Sequence, residues 1–400
     1  MSTALDILCL ALTVVFFWST FVVLVGLLVR PKAHPAIAPK LKFAVLVCAR
    51  NEESVIRLPI KSVLMSRYPA VLREMIVLAD NCTDRTAAIA RDAGATVWEK
   101  TEPSAGKGDV LAWGIRRALA ERQVDAIAVF DADNIVSDTW FEAVNAALCD
   151  GETCVTGRRQ STNSATCTIS GWYTVYWDMM NELSNRVRTN LRLSGKLTGT
   201  GFAFLVSALP AEGWRTFTMV EDVEFSVQHN LRGHRIAYVG EAEYADEQPE
   251  RAGAMWRQLR RWATGGWQVV WRYTFRWLWQ LVRHPSPRLF DSFFCILTGI
   301  SVAFIHLTNV ITFACKIAAG ADVRQAALFF VSIFGFVFAM GWITGFGAVA
   351  LSSKKRAPRW IAVATFPLFS LVLSASVLYT LVMPTRKWKP IAHSGAGSEP

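Results

Sequence analysis

Four stretches of the chain run for 23 residues or more without a charged side chain: Ile7–Val29, Phe293–Cys315, Ala326–Leu351 and Trp360–Met383. Each is long enough to cross a bilayer as a helix. Between the first two the pattern changes to short apolar runs alternating with amphipathic ones. Phe43–Val47, Met75–Leu78, Thr96–Trp98 and Ala126–Phe130 read as buried strands. Helices are predicted from about Glu53 to Met65, Asp84 to Ala93, Gly108 to Glu121 and Trp140 to Cys149. This alternation predicts an α/β domain with a mostly parallel sheet covered on both faces.

Further on, residues 171–191 are rich in Trp, Tyr, Asn and Arg and are predicted helical, either lining an acceptor cleft or packing on the membrane side. The turn Thr198-Gly199-Thr200-Gly201 leads into an apolar run, Phe202–Val206. From Trp256 to Arg283, tryptophans interleave with arginines, the composition of helices lying in a membrane interface.

Composition sharpens the picture. The chain is 52% hydrophobic, and its excess is segregated into the four runs. Ala36-Ile37-Ala38 offers a cleavage pattern, but Asp6 is the only charge before the first run and that run is too long for a signal peptide. A retained anchor is expected. The formal charge of +10 collects beside apolar and Trp-rich segments, which points to lipid headgroups and a phosphorylated substrate and sets nucleic acid aside. Eight cysteines without a Cys-x-x-Cys pair read as reduced thiols of a cytosol-facing domain. Basic residues follow the first run (Arg30, Lys32, Lys40, Lys42) and separate the last two (Lys354, Lys355, Arg356, Arg359). They place residues 31–289 in the cytoplasm and the amino terminus outside. The tail, with Arg386, Lys387 and Lys389, then falls outside, against the same rule.

The candidate chemistry sits where strands end. Asp131-Ala132-Asp133 closes the run Ala126–Phe130. Two carboxylates at the carboxyl edge of a parallel strand suit a hard cation, Mg²⁺ or Mn²⁺, bridging to a diphosphate; an Asp-rich turn that caps the next helix has the same pattern. Cys48-Ala49-Arg50-Asn51-Glu52-Glu53 and Asp80-Asn81-Cys82-Thr83-Asp84 close two earlier strands, with Asn51 and Asp84 also fitting as helix caps. Lys107, between Gly106 and Gly108, suits either a diphosphate or a solvated turn. Val220-Glu221-Asp222 and Gln258-Leu259-Arg260-Arg261-Trp262 follow. Adjacent residues at a helix start lie about 100° apart, so only one of Glu221 and Asp222 is expected to face the crevice.

In this order, these elements resemble the family 2 inverting glycosyltransferases, among them the membrane-embedded hyaluronan, chitin-oligosaccharide, poly-N-acetylglucosamine and cellulose synthases. The resemblance covers about residues 42–268, and Gln258-x-x-Arg261-Trp262 is its most specific part. Val220 departs from the family's Thr, and four spans are few for a built-in polymer channel. The resemblance implies a GT-A, Rossmann-like nucleotide-diphospho-sugar domain with flanking transmembrane helices. It implies a UDP-sugar donor and Mg²⁺ or Mn²⁺. Asp80 and Ala49, Arg50, Asn51 and Glu52 would hold uridine, Asp131 would contact the nucleotide, and Asp133 would ligate the metal. Asp222 would be the general base, Arg261 would face the diphosphate, and Gln258 and Trp262 would shape the acceptor end.

The expected organisation is an anchor (1–30), a cytoplasmic GT-A domain (31–255), amphipathic interface helices (256–289), three transmembrane helices (290–384) and a flexible tail (385–400). GlcNAc or glucose would pass to a membrane-proximal acceptor, a growing polysaccharide or oligosaccharide. A ceramide-type lipid glycosyltransferase adding a single sugar is the alternative. A homo-oligomer or an accessory export protein would serve as partner.

Overall fold

The computed structural model describes residues 2–31, 33–352 and 358–385. Lys32, Lys354, Lys355, Arg356, Arg386, Lys387 and Lys389, and the tail from residue 386, lie outside those residues.

The chain opens with helix α1 (Ser2–Leu28). Then β1 (Phe43–Ala49), α2 (Arg57–Leu64), β2 (Arg73–Asp80), α3 (Thr86–Asp92), β3 (Thr96–Lys100), α4 (Lys107–Glu121) and β4 (Ala126–Asp131) alternate. After β5 (Ile135–Val136), α5 (Trp140–Cys149) and β6 (Cys154–Ser161), helix α6 (Thr168–Asp178) runs through a π-helical segment, Met179–Arg186, into α7 (Val187–Asn190). Then come β7 (Phe202–Leu205), α8 (Glu221–Leu231) and β8 (Ile236–Asp246). The chain continues as α9 (Ala252–Arg283), α10 (Pro287–Ala318), α11 (Val323–Leu351), α12 (Trp360–Ala364) and α13 (Phe366–Val382).

The strands form one sheet in the order β3-β2-β1-β4-β7-β6-β8-β5. β1 is apolar throughout because both its faces are covered. Phe43, Val45 and Val47 join one core with Met75, Phe130 and Phe141; Ala44 and Leu46 join the other with Ile76, Leu78 and Phe204. The first four strands in sheet order are parallel, as expected. The other half is not: β7 runs antiparallel to β4 and β6, and β5 antiparallel to β8. The sheet is therefore mixed. β6 and β8 have no counterpart in the hydropathy pattern, because β6 (CVTGRRQS) spends half its length on polar residues. Its ladder with β8 shifts register at Gly157, where a Cβ would stand 2.2 Å from the Ala242 carbonyl oxygen, so this approach requires glycine.

Among the described residues, three helices are long and apolar enough to span a membrane: Ile7–Leu28 within α1, α10 and α11. The expected fourth span is broken. Thr365 leaves helical geometry (φ −100, ψ 7) and Pro367 sits in the first turn of α13. A proline there lacks the N–H that would continue α12. The remaining 17 residues of α13 reach about 26 Å, short of a hydrocarbon core of about 30 Å.

The interface segment is one continuous helix, α9. It buries Leu259, Ala263, Val269, Tyr273 and Trp277 and exposes Trp271, Phe275, Trp279 and Val282. The anchor is tied to the rest by polar contacts. Asp291 of α10 accepts from Trp18 Nε1 (3.1 Å) and from Arg188 Nε of α7 (2.9 Å), and Asn190 Nδ2 donates to the Gly26 carbonyl (3.0 Å).

Candidate active site

Parallel register brings the ends of β1, β2 and β4 level: Ala49 lies opposite Ala79, and Cys48 opposite Asp131. The loops beyond them form one wall of a cleft of about 360 Å³. The switch between β1 and β4, where successive strands leave in opposite directions, is where an open α/β sheet leaves such a crevice. Ala49, Arg50, Glu52, Asp80, Lys107, Asp131 and Asp133 line it, and Asp222, Gln258, Arg261 and Trp262 line it from the other side.

Asn51 is the exception among the expected site residues. It adopts a left-handed backbone (φ 58), and its Oδ1 accepts from the Thr83 N–H at 2.8 Å. Its side chain straps the first loop to the second instead of facing the crevice. Asp84, expected as a cap, accepts from the Thr86 N–H at 3.0 Å and from Glu53 N at 3.1 Å.

Asp80 is buried and held by Ser104 Oγ at 2.7 Å, with Arg50 Nη1 at 3.7 Å. Asp131 takes a hydrogen bond from Lys107 Nζ at 2.5 Å, while the same ammonium donates to the Gly199 carbonyl at 2.6 Å and stands 3.8 Å from Glu221. The Gly-rich turn thus closes over the end of β4: the Asp131 N–H also donates to Thr200 Oγ1 (2.9 Å). Asp133 is buried, and its carboxyl is pushed well above the ordinary range by that burial, then by Asp246 and Asp131, with Arg159 opposing. Burial beside acidic neighbours disfavours the charged form.

Across the cleft, both acids at the start of α8 line the wall. The expectation that one would turn away fails because they occupy the first turn, where no preceding turn covers either side chain, and 100° separates flanks without opposing them. Burial pushes the Glu221 carboxyl up to about 7; Asp222 adds to the shift, while Lys107 and Arg261 oppose it. Asp222 is also raised, by burial. The turn leading to these acids is fixed by Glu224, which accepts from the N–H groups of Phe217 and Thr218 at 2.7 Å each. Val220 finds its reason here: a Cβ on Gly265 of α9 would stand 2.6 Å from its methyl group. Close packing takes the place of a hydroxyl.

Arg159 and Asp246 escape sequence reasoning, whereas Tyr176 and Trp177 fall in the stretch 171–191 expected to line an acceptor cleft or to pack on the membrane side. Arg159 of β6 pairs with Asp246 of β8, donates to the Thr198 carbonyl (2.6 Å) and lies 3.8 Å over the Trp177 ring. Tyr176 and Trp177 line the cleft from α6, and Tyr176 stacks on Trp262 at 5.8 Å. Tyr173, on the same helix, packs against Phe369 of α13, so α6 serves the cleft and the membrane side together. The arginine doublet inside β6 and the acidic end of β8 are the sequence signals that carried Arg159 and Asp246. Gln258 Oε1 is buried in the cleft wall without a hydrogen-bond partner among the described residues. Among those residues, no group of three or more His, Cys, Asp or Glu side chains is gathered into a metal cage.

Glycosyltransferase like family 2 matches residues 39–265. The beta-monoglucosyldiacylglycerol synthase of Synechocystis sp. is 27% identical over 284 residues, covering 62% of this chain and 54% of the relative. The poly-beta-1,6-N-acetyl-D-glucosamine synthase of Staphylococcus aureus is 27% identical over 236 residues, covering 58% of this chain and 56% of the relative. The chain thus spans little more than half the length of these curated relatives. The solved mannosyltransferase PcManGT of Pyrobaculum calidifontis, in complex with GDP-Man and Mn²⁺, superposes with a TM-score of 0.61 at 17% identity, covering 94% of this chain and 99% of that one. That likeness is one of fold.

Proposed function

The chain belongs to glycosyltransferase family 2, and on that premise we propose that it moves a sugar, GlcNAc or glucose, from a UDP-sugar to a hydroxyl of a membrane-proximal acceptor, with inversion. The observation that carries the reading is one cleft with two unlike walls. Asp80, Asp131, Asp133 and Lys107 stand on the strand-end wall; Asp222, Gln258 and Trp262 stand on the helix wall, with Arg261 beside the acids.

Uridine and ribose meet Asp80 and the Ala49–Glu52 loop. Lys107 and Arg261 face the diphosphate; Arg261 offers a planar fork suited to phosphate oxygens. A hard cation, Mg²⁺ or Mn²⁺, fits at Asp133: an acidic group buried beside Asp131 and Asp246 is relieved by positive charge. When bound, the cation supplies positive charge to the departing diphosphate.

Asp222 takes the proton of the attacking acceptor hydroxyl as the new C1–O bond forms. The bond from C1 to the UDP oxygen breaks on the opposite face, and UDP leaves with its electron pair. Gln258 and the Tyr176–Trp262 stack hold the acceptor. The protein works as a multi-pass membrane enzyme with residues 31–255 in the cytoplasm, α9 along the interface, and α10, α11 and α13 on the membrane side. The Staphylococcus and Synechocystis relatives are named for a polysaccharide and a glycolipid product respectively. Both acceptors bear a hydroxyl, and both meet this reading.

Purified protein in detergent, given a panel of UDP-sugars with Mn²⁺ and membrane extract, should release UDP with one or two of them. Loss of that release in Asp222→Asn supports the assignment. No release with any UDP-sugar overturns it.

A further inference from the structure

The cleft does not end at the carboxylates. Its wall continues past Trp262 to Gly266, about one turn along α9, and to Ile296 on α10. α10 is a helix long and apolar enough to cross a bilayer. The two adjacent glycines of α9 do different things. Gly265 is pressed against Val220, whereas a Cβ on Gly266 would meet no heavy atom within 4 Å although the residue is half-buried. Gly266 therefore opens onto free space in the wall.

Depth along α10 places this opening relative to the bilayer. Its 32 residues extend about 48 Å, against roughly 30 Å of hydrocarbon and 40–45 Å with headgroups. With α10 centred on the bilayer, about 9 Å at each end lies outside the hydrocarbon, and Ile296, about 14 Å from the helix start, falls just inside the acyl region. The buried Arg188–Asp291 pair lies between Ile296 and the start of α10. The one cleft thus brings together the carboxylates at the start of α8, the Tyr176–Trp262 stack, the unpartnered Gln258 oxygen, and the apolar surface of Met180, Gly266 and Ile296.

We propose that the acceptor is a membrane lipid that enters between α9 and α10, with its acyl chain passing Gly266 and Ile296 and its hydroxylated headgroup reaching Asp222. This rests on the transferase reading above and narrows its acceptor class. An acceptor arriving from water has no use for an apolar exit at acyl depth. A lipid needs all three kinds of surface in one cleft: an apolar channel for the chain, aromatic faces and an amide oxygen for the headgroup, and a carboxylate at the reacting hydroxyl. Gly266 and Ile296 are then specificity-determining residues.

Full-length enzyme in vesicles of extracted membrane lipid, given radiolabelled UDP-sugar and Mn²⁺, should put label into the organic phase. Gly266→Leu fills the opening and should cut that label by about tenfold or more while UDP affinity, read by calorimetry, stays within about twofold. Ile296→Trp closes the same passage from α10 and serves where Gly266→Leu does not bind UDP. Label in an aqueous-phase polymer, or organic-phase label undiminished in a plugged variant that binds UDP, overturns the lipid acceptor while leaving the transferase intact. UDP release without labelled lipid in the wild type likewise overturns the lipid alone. Absence of UDP release with every UDP-sugar overturns both.

Discussion

The ammonium of Lys107 lies 2.5 Å from the carboxylate of Asp131, joining the first residue of α4 to the last residue of β4. Glu221, across the cleft, stands 3.8 Å from the same ammonium. One lysine therefore ties the strand-end wall of the cleft to the helix wall. Lys107 is itself raised above its ordinary range: burial lowers it, but Asp131 and Glu221 together outweigh that cost. Lys107→Met should weaken UDP-sugar binding by about tenfold, measured by calorimetry, because a positive group facing the diphosphate is lost.

The two acids of α8 should separate by function. Asp222→Asn should leave UDP affinity within a few-fold and cut transfer by roughly 10²–10⁴. Glu221→Gln should cost much less. Calorimetry with UDP and turnover by UDP release test both. If Glu221→Gln is the more damaged, the base is Glu221; if Asp222→Asn loses UDP, the residue belongs to the donor side.

The pH dependence follows from Glu221. Its folded carboxyl, raised by burial from 4.5 to about 7, holds a proton that the unfolded chain releases more readily. Its contribution to stability is therefore complete below pH 4.5 and is lost as pH rises to about 7. Thermal midpoints of wild type and Glu221→Gln should diverge across that window, with the wild type falling more steeply. Lys107→Met removes the largest charge opposing the shift, and should push the upper edge of that window to higher pH while the lower edge, set by the unfolded chain, stays.

Asp133→Asn keeps the shape of the side chain and removes its charge. Wild-type protein with UDP–Mn²⁺, taken as one ligand at about 100 times its dissociation constant, should gain about 2.7 kcal/mol over the free protein. Asp133→Asn should lose the Mn²⁺-dependent part of that gain in a thermal shift measured in detergent. An undiminished shift places the cation elsewhere.

Asp291 is buried against Arg188 and accepts from Trp18, so it links α1, α7 and α10. Asp291→Ala leaves the guanidinium buried without its partner and should cost about 3–5 kcal/mol. Asp291→Leu combined with Arg188→Met removes both charges and should recover most of the loss. Unfolding in detergent compares the three.

By itself, the sequence determined what depends on neighbours along the chain. The apolar runs of β1, β2 and β4 announce strands because both their faces are covered, and the loops after them share an edge because parallel strands run the same way. Uncharged runs of bilayer length mark α1, α10 and α11. The order of Asp80, Asp131, Asp133, Asp222 and Gln258-x-x-Arg261-Trp262 was legible as a motif, and the fold gathers all of these residues into one cleft. Other features depend on residues far apart, and only the tertiary structure decided them. β6 and β8 exist as strands because they pair with each other, and Arg159 meets Asp246 across a sequence separation of 87. No local periodicity records such a pairing, since its partner lies outside any window of chain. Asn51 carries the right residue type beside the right loop, yet Thr83, on a different loop, draws its side chain out of the cleft. Glu221 meets in the cleft the charge of Lys107, more than a hundred positions earlier. Local pattern fixes the elements that are apolar throughout or uncharged over a bilayer's length; the remaining strands, and the side chains that meet between elements, are set by packing and charge that no single segment contains.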